Sequence, residues 1–333
     1  MNARGFILHF ILLIIVYTCP AQSPGVRNGH SMVYYSSLKS IILFGGATES
    51  KVCGDTWSFS PGKWIKLTDK EPSPRTFPSM ASADDYILLF GGNAVLFGNA
   101  TNPVHYLDDT WKFENGSWKK VECDVHPEAR SEAAIGYDPI RKRVVLFGGR
   151  QAGEKWIRSD SWEFDGENWN QMDVPGPTAR SGAVMIFDLE LKQLVLFGGN
   201  PVITKEKDYN GPMWAWDGIK WNPLSCNAPL VFNSCMAYNS ADHFILRFGG
   251  WDGEKRVSDT WIYKRNEWVK LHTKNAPAAR NHSIMVYNPL SNSFFLYGGH
   301  DGDNVFGDMW TFKKRKWKLL FAQRSLRRIE NGH

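Results

Sequence analysis

The sequence lacks the motifs that hold metals, nucleotides and common nucleophiles. It has 5 cysteines in 333 residues, with no Cys-x-x-Cys pair and no Cys/His cluster, which excludes the usual zinc sites. It also lacks a Gly-rich phosphate loop, a Gly-x-Ser-x-Gly elbow and a His-Glu-x-x-His motif. We therefore expect no bound metal and no other cofactor, and catalysis is less expected than binding.

Long apolar runs are also lacking, so we expect no transmembrane segment. The longest run, residues 6–16, is broken by His9 and is too short to cross a bilayer as a helix. It follows the charged Arg4 and precedes a short, more polar stretch, a pattern typical of a secretory signal peptide. We predict that residues 1–21 are such a peptide and that the protein is secreted or periplasmic, with lipid anchoring through Cys19 as a weaker alternative.

Removal of that peptide leaves an even number of cysteines, which suits an oxidising compartment. Cys226 and Cys235 are close enough in sequence to bridge one loop, and free thiols are the alternative. The other two are Cys53 and Cys123.

Acidic residues are absent from residues 313–328, near the C-terminal end. Eight basic residues and no acidic one occur between Lys313 and Arg328, so the rest of a chain of net charge +5 carries −3. We expect residues 322–333 to be a solvated basic tail, with contact to acidic lipids or polyanions as the alternative. An exported protein rarely meets nucleic acid, and we expect no such partner.

What the sequence does have is a repeat of tryptophans and glycines. Two tryptophans stand seven residues apart six times, each pair after a Gly-Gly. The tryptophan pairs are Trp57/Trp64, Trp111/Trp118, Trp162/Trp169, Trp214/Trp221, Trp261/Trp268 and Trp310/Trp317. The glycine pairs are Gly45-Gly46, Gly91-Gly92, Gly148-Gly149, Gly198-Gly199, Gly249-Gly250 and Gly298-Gly299.

Each repeat predicts four strands, A to D. Strand A follows an arginine-containing loop, and strand B is an apolar run such as residues 41–44 that ends at Gly-Gly. Strand C begins near the first tryptophan and strand D at the second. A continuous apolar run indicates a strand covered on both faces, so the repeats must stack against one another until a ring closes.

Gly-Gly, a downstream Asp-x-Trp and the second tryptophan resemble the Kelch repeat. The resemblance covers nearly all of the chain after the signal peptide. It implies an all-β fold, a six-bladed β-propeller of four-stranded antiparallel blades in residues 22–321, and the style of the repeats is similar to exported bacterial Kelch proteins. The predicted blades are about 27–68, 69–122, 123–173, 174–225, 226–272 and 273–321.

The first repeat starts with strand A and the last ends with strand D, so no blade is predicted to combine both chain ends. We therefore expect blades 1 and 6 to be joined mainly by side-chain packing, helped by residues 22–26 or the tail. This junction is the predicted weak point of the ring.

An arginine opens strand A in five repeats, and an aspartate stands two residues before the first tryptophan in five. Val231 replaces the arginine in the fifth repeat and Pro212 replaces the aspartate in the fourth. Because these losses are adjacent, we expect the aspartate of one blade to pair with the arginine of the next; the alternative is a ring of positive charge that attracts an anionic ligand. Arg247 is a candidate replacement guanidinium from strand B. The arginines are Arg27, Arg75, Arg130, Arg180 and Arg280.

The loops between strands B and C vary most and carry aromatic residues outside the scaffold pattern. Aromatic rings beside polar groups suit a protein or carbohydrate ligand, although they can equally pack the loops down. The candidates are Trp156, Trp251, Tyr106, Tyr209 and His300.

The Kelch resemblance extends to two kinds of enzyme. The central domain of galactose oxidase is Kelch-like, but its copper site includes adjacent Tyr and His, and no Tyr-His dipeptide occurs here. Sialic acid mutarotases are also exported Kelch proteins, and Glu132 and His282 occupy one position of strand A in blades that face each other.

We therefore expect a monomeric, exported interaction module that binds a protein or a carbohydrate through the face of the B-to-C and D-to-A loops. The runner-up is a sugar-modifying enzyme that uses Glu132 and His282.

Overall fold

A computed structural model of the protein describes residues 22–60, 62–96, 104–153, 156–201 and 213–322. These residues form six four-stranded antiparallel sheets, and each sheet takes its four strands consecutively from the chain. The predicted six-bladed β-propeller is confirmed. In the described ranges the one helical element is a 3₁₀ turn, Ser36–Leu38.

The strands of blades 1 to 3 are β1 Ser31–Tyr35, β2 Ser40–Phe44, β3 Thr56–Ser60, β4 Lys63–Thr68, β5 Ser79–Ser82, β6 Ile87–Asn93, β7 Tyr106–Glu114, β8 Ser117–Val121, β9 Ala134–Asp138, β10 Arg143–Phe147, β11 Ser161–Phe164 and β12 Trp169–Met172. Those of blades 4 to 6 are β13 Arg180–Asp188, β14 Gln193–Pro201, β15 Met213–Trp216, β16 Trp221–Leu224, β17 Cys235–Asn239, β18 Phe244–Phe248, β19 Thr260–Lys264, β20 Glu267–Leu271, β21 Ile284–Asn288, β22 Ser293–Tyr297, β23 Met309–Lys313 and β24 Lys316–Phe321.

The second strand of each blade supplies the core between blades. In β2, Ile41 and Leu43 pack in the cluster shared with blade 6, while Ile42 and Phe44 pack in the cluster shared with blade 2. All four are fully buried, and each burial stabilises the fold by about 1.5–3 kcal/mol. Successive side chains of one apolar strand therefore pack alternately against the two neighbouring blades and stabilise both junctions.

The second tryptophan of each pair fastens its blade to the preceding one. Its ring lies 5.1–5.5 Å from an aromatic ring at the end of the second strand of that blade, as Trp169 does on Phe90. Four of these indoles also donate a hydrogen bond to a hydroxyl of the preceding blade, for example Trp169 Nε1 to Thr110 Oγ1 at 2.9 Å. The twelve scaffold tryptophans thus join blades as well as filling them.

The first glycine of each Gly-Gly is required by a close approach of the next blade. Its φ lies between +64° and +72° in all six blades. A Cβ at this position would stand 2.2–2.7 Å from a backbone carbonyl oxygen, such as that of Arg130 above Gly91. No other residue fits there without moving the neighbouring blade.

Six residues at the starts of the inner strands form a closed ring of backbone hydrogen bonds around the axis. Each N–H donates to the carbonyl of the residue one blade back, at 2.6–3.4 Å. All six have φ between 52° and 64°. We call this the axial ring; it consists of Gly29, Phe77, Glu132, Gly182, Asn233 and His282.

The junction between blades 6 and 1 has the predicted side-chain packing, which includes Trp64 and Tyr297, and in addition the same backbone bonds as the other junctions. Arg27 N donates to Phe306 O at 2.9 Å, and Gly299 N donates to Arg27 O at 3.0 Å. The chain segment before blade 1 takes part, because the Tyr297 hydroxyl donates to Gly25 O at 2.7 Å. The ring closes through the loops, with no shared blade.

One polar contact is nevertheless lost at that junction. Met309 stands where blade 2 has Thr110, and the Trp64 indole N–H above it has no hydrogen-bond partner in the described part of the chain. The axial-ring bond from Gly29 N to His282 O is also the longest of its ring, at 3.4 Å. That this junction is the weakest stays a prediction.

The predicted bridge between Cys226 and Cys235 is not formed, and all four described cysteines are free thiols. Cys235 lies in the inner strand β17, whereas Cys226 follows the outer strand β16, so the width of a blade separates them. Across the described ranges, no helix is both long and apolar enough to span a membrane.

Candidate functional site

Four strand-A arginines form one type of buried ion pair. Arg27 Nη1 lies 2.8 Å from Asp55 Oδ1, and Arg280 Nη1 lies 2.6 Å from Asp308 Oδ1. Each aspartate comes from the arginine's own blade, so the predicted pairing with the next blade is wrong. The reason is that strands A and C flank the end of strand B, and Nη1 also reaches a Gly-Gly carbonyl there. The other pairs are Arg75–Asp109 and Arg130–Asp160.

The aspartates of these pairs accept hydrogen bonds from more than one side chain. Each also accepts a hydrogen bond from the indole of the first tryptophan of its blade, at 2.7–2.8 Å. Burial by itself raises the pKa of Asp55, Asp109 and Asp160. The hydrogen bonds and charge of their arginines outweigh that effect and hold the pKa of each carboxyl below its ordinary value.

Blade 4 keeps the arginine without the aspartate. Arg180 donates to the carbonyl oxygens of Gly198, at 3.1 Å, and Thr178, at 3.0 Å. No carboxylate of the described residues bonds it. Burial lowers the pKa of this guanidinium to about 10.

Blade 5 keeps the aspartate without the arginine, and Arg247 of strand B fills the gap. Its Nη1 donates to the carbonyl of Pro229, two residues before Val231, at 2.9 Å. In blade 6 the corresponding carbonyl, that of Ala278, accepts from Arg280 Nε. Arg247 thus places a buried guanidinium against this carbonyl from strand B, but it does not take over the ion pair. Asp259 pairs instead with Lys270, at 2.8 Å.

The five strand-A arginines are 0–4% exposed. Their guanidiniums are held inside the blades by carbonyls and, in four blades, by carboxylates. This geometry favours the structural alternative for the arginine ring over a ring of charge open to a ligand.

The axial ring opens onto the face of the B-to-C loops, and four of its side chains meet there. Two glycines make room for them: a Cβ on Gly29 would lie 2.7 Å from the ring of Phe77, and one on Gly182 would lie 2.1 Å from Asn233 Oδ1. Phe77 consequently reaches across Gly29 to contact His282, with ring centroids 4.8 Å apart.

Residues that follow Gly-Gly, or come slightly later in the B-to-C loops, surround this opening. The guanidinium of Arg150 stacks on Trp156 at 5.1 Å, and that of Arg256 stacks on Trp251 at 5.1 Å. The order along the chain is reversed between the two pairs, arginine first in blade 3 and tryptophan first in blade 5. We call the whole set the axial mouth; it comprises Phe77, Glu132, Asn233, His282, Arg150, Trp156, Trp251, Arg256 and His300.

A directional chain of hydrogen bonds ends at His282. Arg256 Nη2 lies 3.5 Å from His300 Nδ1, and a guanidinium can only donate. We therefore assign the His300 proton to Nε2, which then donates to His282 Nδ1 at 2.9 Å. The same assignment puts the His282 proton on Nε2, a buried atom with no partner in the described residues. Burial, followed by nearby positive charge, lowers the pKa of both rings, that of His300 to about 4.

Glu132 is the carboxyl group of the mouth. Burial raises its pKa, opposed by the charge of Arg150 and by hydrogen bonds from Ser181 and Arg150. Arg150 Nη1 lies 3.7 Å from its Oε1, a loose ion pair, and Arg150 Nε is buried without a partner in the described residues. Buried donors without a partner in the described residues also occur inside the blades, at Arg27 Nε and Arg247 Nε. The mouth differs from the blade interior in exposure, because the Arg150 side chain is 43% exposed whereas the strand-A arginines are 0–4% exposed.

The structure brings Glu132, His282, His300, Trp156 and Trp251 to one mouth, as their shared face in the sequence predicted. Tyr106 lies near enough to Arg150 and Glu132 for their charges to act on its pKa, which burial raises. Tyr209 lies outside the described residues.

Sequence reasoning missed Arg150 and Arg256. A signal was available, because Arg150, Trp251 and His300 all stand directly after Gly-Gly, a register position whose residue changes from blade to blade. Within the described residues no three His, Cys, Asp or Glu side chains cluster as a metal site.

A family model described as the KLHDC2/KLHL20/DRC7 Kelch-repeats domain matches residues 15–165 and 139–326. The chain is 24% identical over 249 residues to spermatocyte protein spe-26 of Caenorhabditis elegans, covering 70% of the chain and 40% of that protein. It is 28% identical over 173 residues to F-box/kelch-repeat protein At1g51550 of Arabidopsis thaliana, covering 46% and 34%. The matched regions span less than half of either relative. Both are eukaryotic, so these matches do not support the bacterial type or the likeness to galactose oxidase.

Proposed function

The chain belongs to the Kelch-repeat family of β-propellers, and on that premise we propose that it is a protein-interaction module whose partner binds at the axial mouth. One observation carries this assignment. The mouth presents two arginine–tryptophan stacks at a partly exposed surface, whereas the arginines of the blades are 0–4% exposed and held inside the fold. Arginine and tryptophan at a rigid, partly desolvated centre are the side chains that dominate protein interfaces.

The mouth is built as a fixed surface. Its inner residues belong to the closed axial ring, and Arg256 is held by Asn281 Oδ1, 2.9 Å from its Nε, as well as by Trp251. A partner therefore meets side chains that lose little conformational freedom on binding. The plant relative is an F-box/kelch-repeat protein by name, so its name joins a kelch repeat to another module. We propose that this chain likewise works beside a second module.

The test compares partners captured by three forms of the protein. We expect the double variant Trp156→Ala/Trp251→Ala to lose specific partners that the wild type retains, because each lost anchor costs about 2 kcal/mol or more at an interface. The matched control is Trp64→Phe, which alters an indole buried between blades 6 and 1. Equal capture by the double variant and the wild type, with both folded, would reject the mouth as the binding surface.

The alternative to a protein partner at the mouth is a carbohydrate ligand. One face of each mouth tryptophan already carries a guanidinium, so a sugar ring has only the second face to stack on. A glycan array with wild type and the same double variant separates the two forms, since glycan binding without protein capture favours the sugar.

The enzymatic alternative rests on the raised pKa of Glu132, which suits a general acid. Glu132 and His282 are three positions apart in the ring of six, and therefore on opposite sides of the axis. Ring-form interconversion of an acidic sugar, measured by NMR and abolished in Glu132→Gln, is the result that this alternative requires.

We also propose export through residues 1–21, on the pattern of charge and apolarity described above. Sequencing the N-terminus of the protein recovered from the culture medium tests this, and retention in the cell with Met1 intact contradicts it.

A further inference from the structure

A cavity of the described protein runs along the propeller axis. It has a volume of about 530 Å³, within the range of small-molecule sites, and the inner strands of all six blades line it. It extends from the axial ring to the opposite end of the inner strands, five residues on, which at the rise of a strand is about 16 Å. The cavity is therefore long and narrow.

The partly exposed wall in the middle of this cavity is aliphatic. The inner strands place branched side chains there, among them Val33, Ile135, Val184 and Ile186. Five of the six inner strands also carry a methionine at one register position, but these methionines are only 3–7% exposed and pack in the clusters between blades. A guest in the cavity would therefore contact hydrocarbon side chains of the inner strands.

The remaining polar groups on the wall are mostly in use. The hydroxyl of Ser31 donates to Pro78 O, and that of Ser79 donates to Ala133 O. The Cys235 thiol donates to Phe248 O. Neighbouring positions are apolar, among them Val33 and Ile186. Along its length the wall thus offers few free hydrogen-bonding groups to water.

The two ends of the cavity differ. The far end is ringed by aromatic side chains, Tyr34, Tyr137, Phe187, Tyr238 and Tyr287, with Ser82 at the sixth place. The near end is the axial ring, where His282 Nε2–H is buried and has no partner in the described residues. The bonds from Arg256 through His300 fix that proton on Nε2, so the group is a donor awaiting an acceptor oxygen.

From this arrangement we propose that the axial cavity binds a small unbranched amphiphile, its aliphatic chain against the partly buried aliphatic side chains of the inner strands and an oxygen of its head group accepting a hydrogen bond from His282 Nε2. The length and apolar wall select the chain, and the oriented donor of His282 selects the head. An uncharged N–H can donate to either a hydroxyl or a carboxyl oxygen. The site shares His282 with the axial mouth, but its chain-binding wall lies beneath the axial ring.

The probes are decanoic acid and 1-decanol, which share the chain and differ in the head group. Binding to the purified full chain is followed by displacement of the apolar dye N-phenyl-1-naphthylamine and by calorimetry. We expect saturable binding of at least one probe at about one molecule per chain. Preference for one of them identifies the head-group chemistry.

The matched variants are Ile186→Trp, which fills the cavity, and Ile219→Trp, the same change at a residue that is 75% exposed on the outer surface. We expect Ile186→Trp to weaken binding about tenfold or more and Ile219→Trp to leave it unchanged. Should Ile186→Trp fail to fold, Val33→Trp on the facing side of the cavity replaces it. His282→Phe is expected to weaken binding while leaving the apolar wall intact.

The proposal is overturned if neither probe saturates, or if both tryptophan variants bind as the wild type does, which would indicate surface adsorption. Unchanged binding in His282→Phe overturns the head-group assignment. Protein capture by Ile186→Trp should match the wild type, so failure of this proposal and failure of the protein-interaction proposal are separately visible.

Discussion

Arginines occur in two regions of this propeller with opposite environments. Inside the blades, a guanidinium such as that of Arg280 is 1% exposed and its bonds go to carbonyls and a carboxylate. At the axial mouth, the Arg150 side chain is 43% exposed, stacks on an indole and leaves its Nε without a partner in the described residues. The same residue type therefore builds the scaffold where it is buried against carbonyls and a carboxylate, and is available for binding where its side chain reaches the surface.

The largest effect should come from breaking a scaffold pair. Arg280→Met leaves Asp308 buried without its cation, and we expect the free energy of unfolding to fall by about 3–5 kcal/mol in urea titrations. The double variant Arg280→Met/Asp308→Asn should recover part of that loss, because it removes the stranded charge. A loss below about 1 kcal/mol in the single variant would show that the pair contributes little beyond packing.

Acid should weaken the scaffold next. The folded pKa values of Asp55, Asp109 and Asp160 lie below the ordinary value, so the unfolded chain takes up protons first as the pH falls. Their stabilisation is complete above about pH 5 and is lost as the pH falls through the folded pKa values. We expect a lower urea midpoint at pH 3 than at pH 7, and a smaller difference in Asp109→Asn. Asp69→Asn, at an exposed site, is the control.

Arg180 offers an intermediate case. It has the scaffold position without a carboxylate partner in the described residues, and burial pulls down its pKa. Arg180→Met leaves no known buried carboxylate without its cation and loses mainly hydrogen bonds to carbonyls. We therefore expect the free energy of unfolding to fall by about 1–2 kcal/mol, less than it falls in Arg280→Met. Equal losses in the two variants, measured side by side, would mean that the carboxylate is not what makes the scaffold arginines costly to replace.

The smallest effect on stability should be at the mouth. Arg150→Gln changes a half-exposed side chain with a loose ion pair, and we expect the free energy of unfolding to stay within about 0.5 kcal/mol of the wild type. Partner capture should nevertheless fall. A destabilisation comparable to that of Arg280→Met would show that Arg150 is part of the scaffold, and the two regions would then not differ in the role of their arginines.

The scaffold was readable from the sequence because each of its rules is local and repeated. An apolar run such as residues 41–44 forces two covered faces, Gly-Gly marks a close approach, and the tryptophan spacing fixes the register of strands C and D. The pairing of arginine with aspartate was foreseen, but its partner blade was not. Both strands border the end of strand B within one blade, and that adjacency is a property of the sheet.

The mouth was readable only in part. Trp156, Trp251 and His300 stood out because they broke the repeat. Arg150 could have been found from its register position directly after Gly-Gly. Arg256 could not, since a loop arginine has no spacing that distinguishes it from a solvated one. The orientation of the Arg256–His300–His282 chain also depends on contacts between blades 5 and 6, which no short-range pattern encodes.

The sequence by itself determined the number of blades, their strand order and the positions of twelve tryptophans in the blades, because these follow from a period that every repeat obeys. Only the tertiary structure decided how the ring closes, which carboxylate each arginine meets and which donors are left unused. Those outcomes depend on backbone bonds and side chains brought together across blades, where residues distant in the chain first become neighbours.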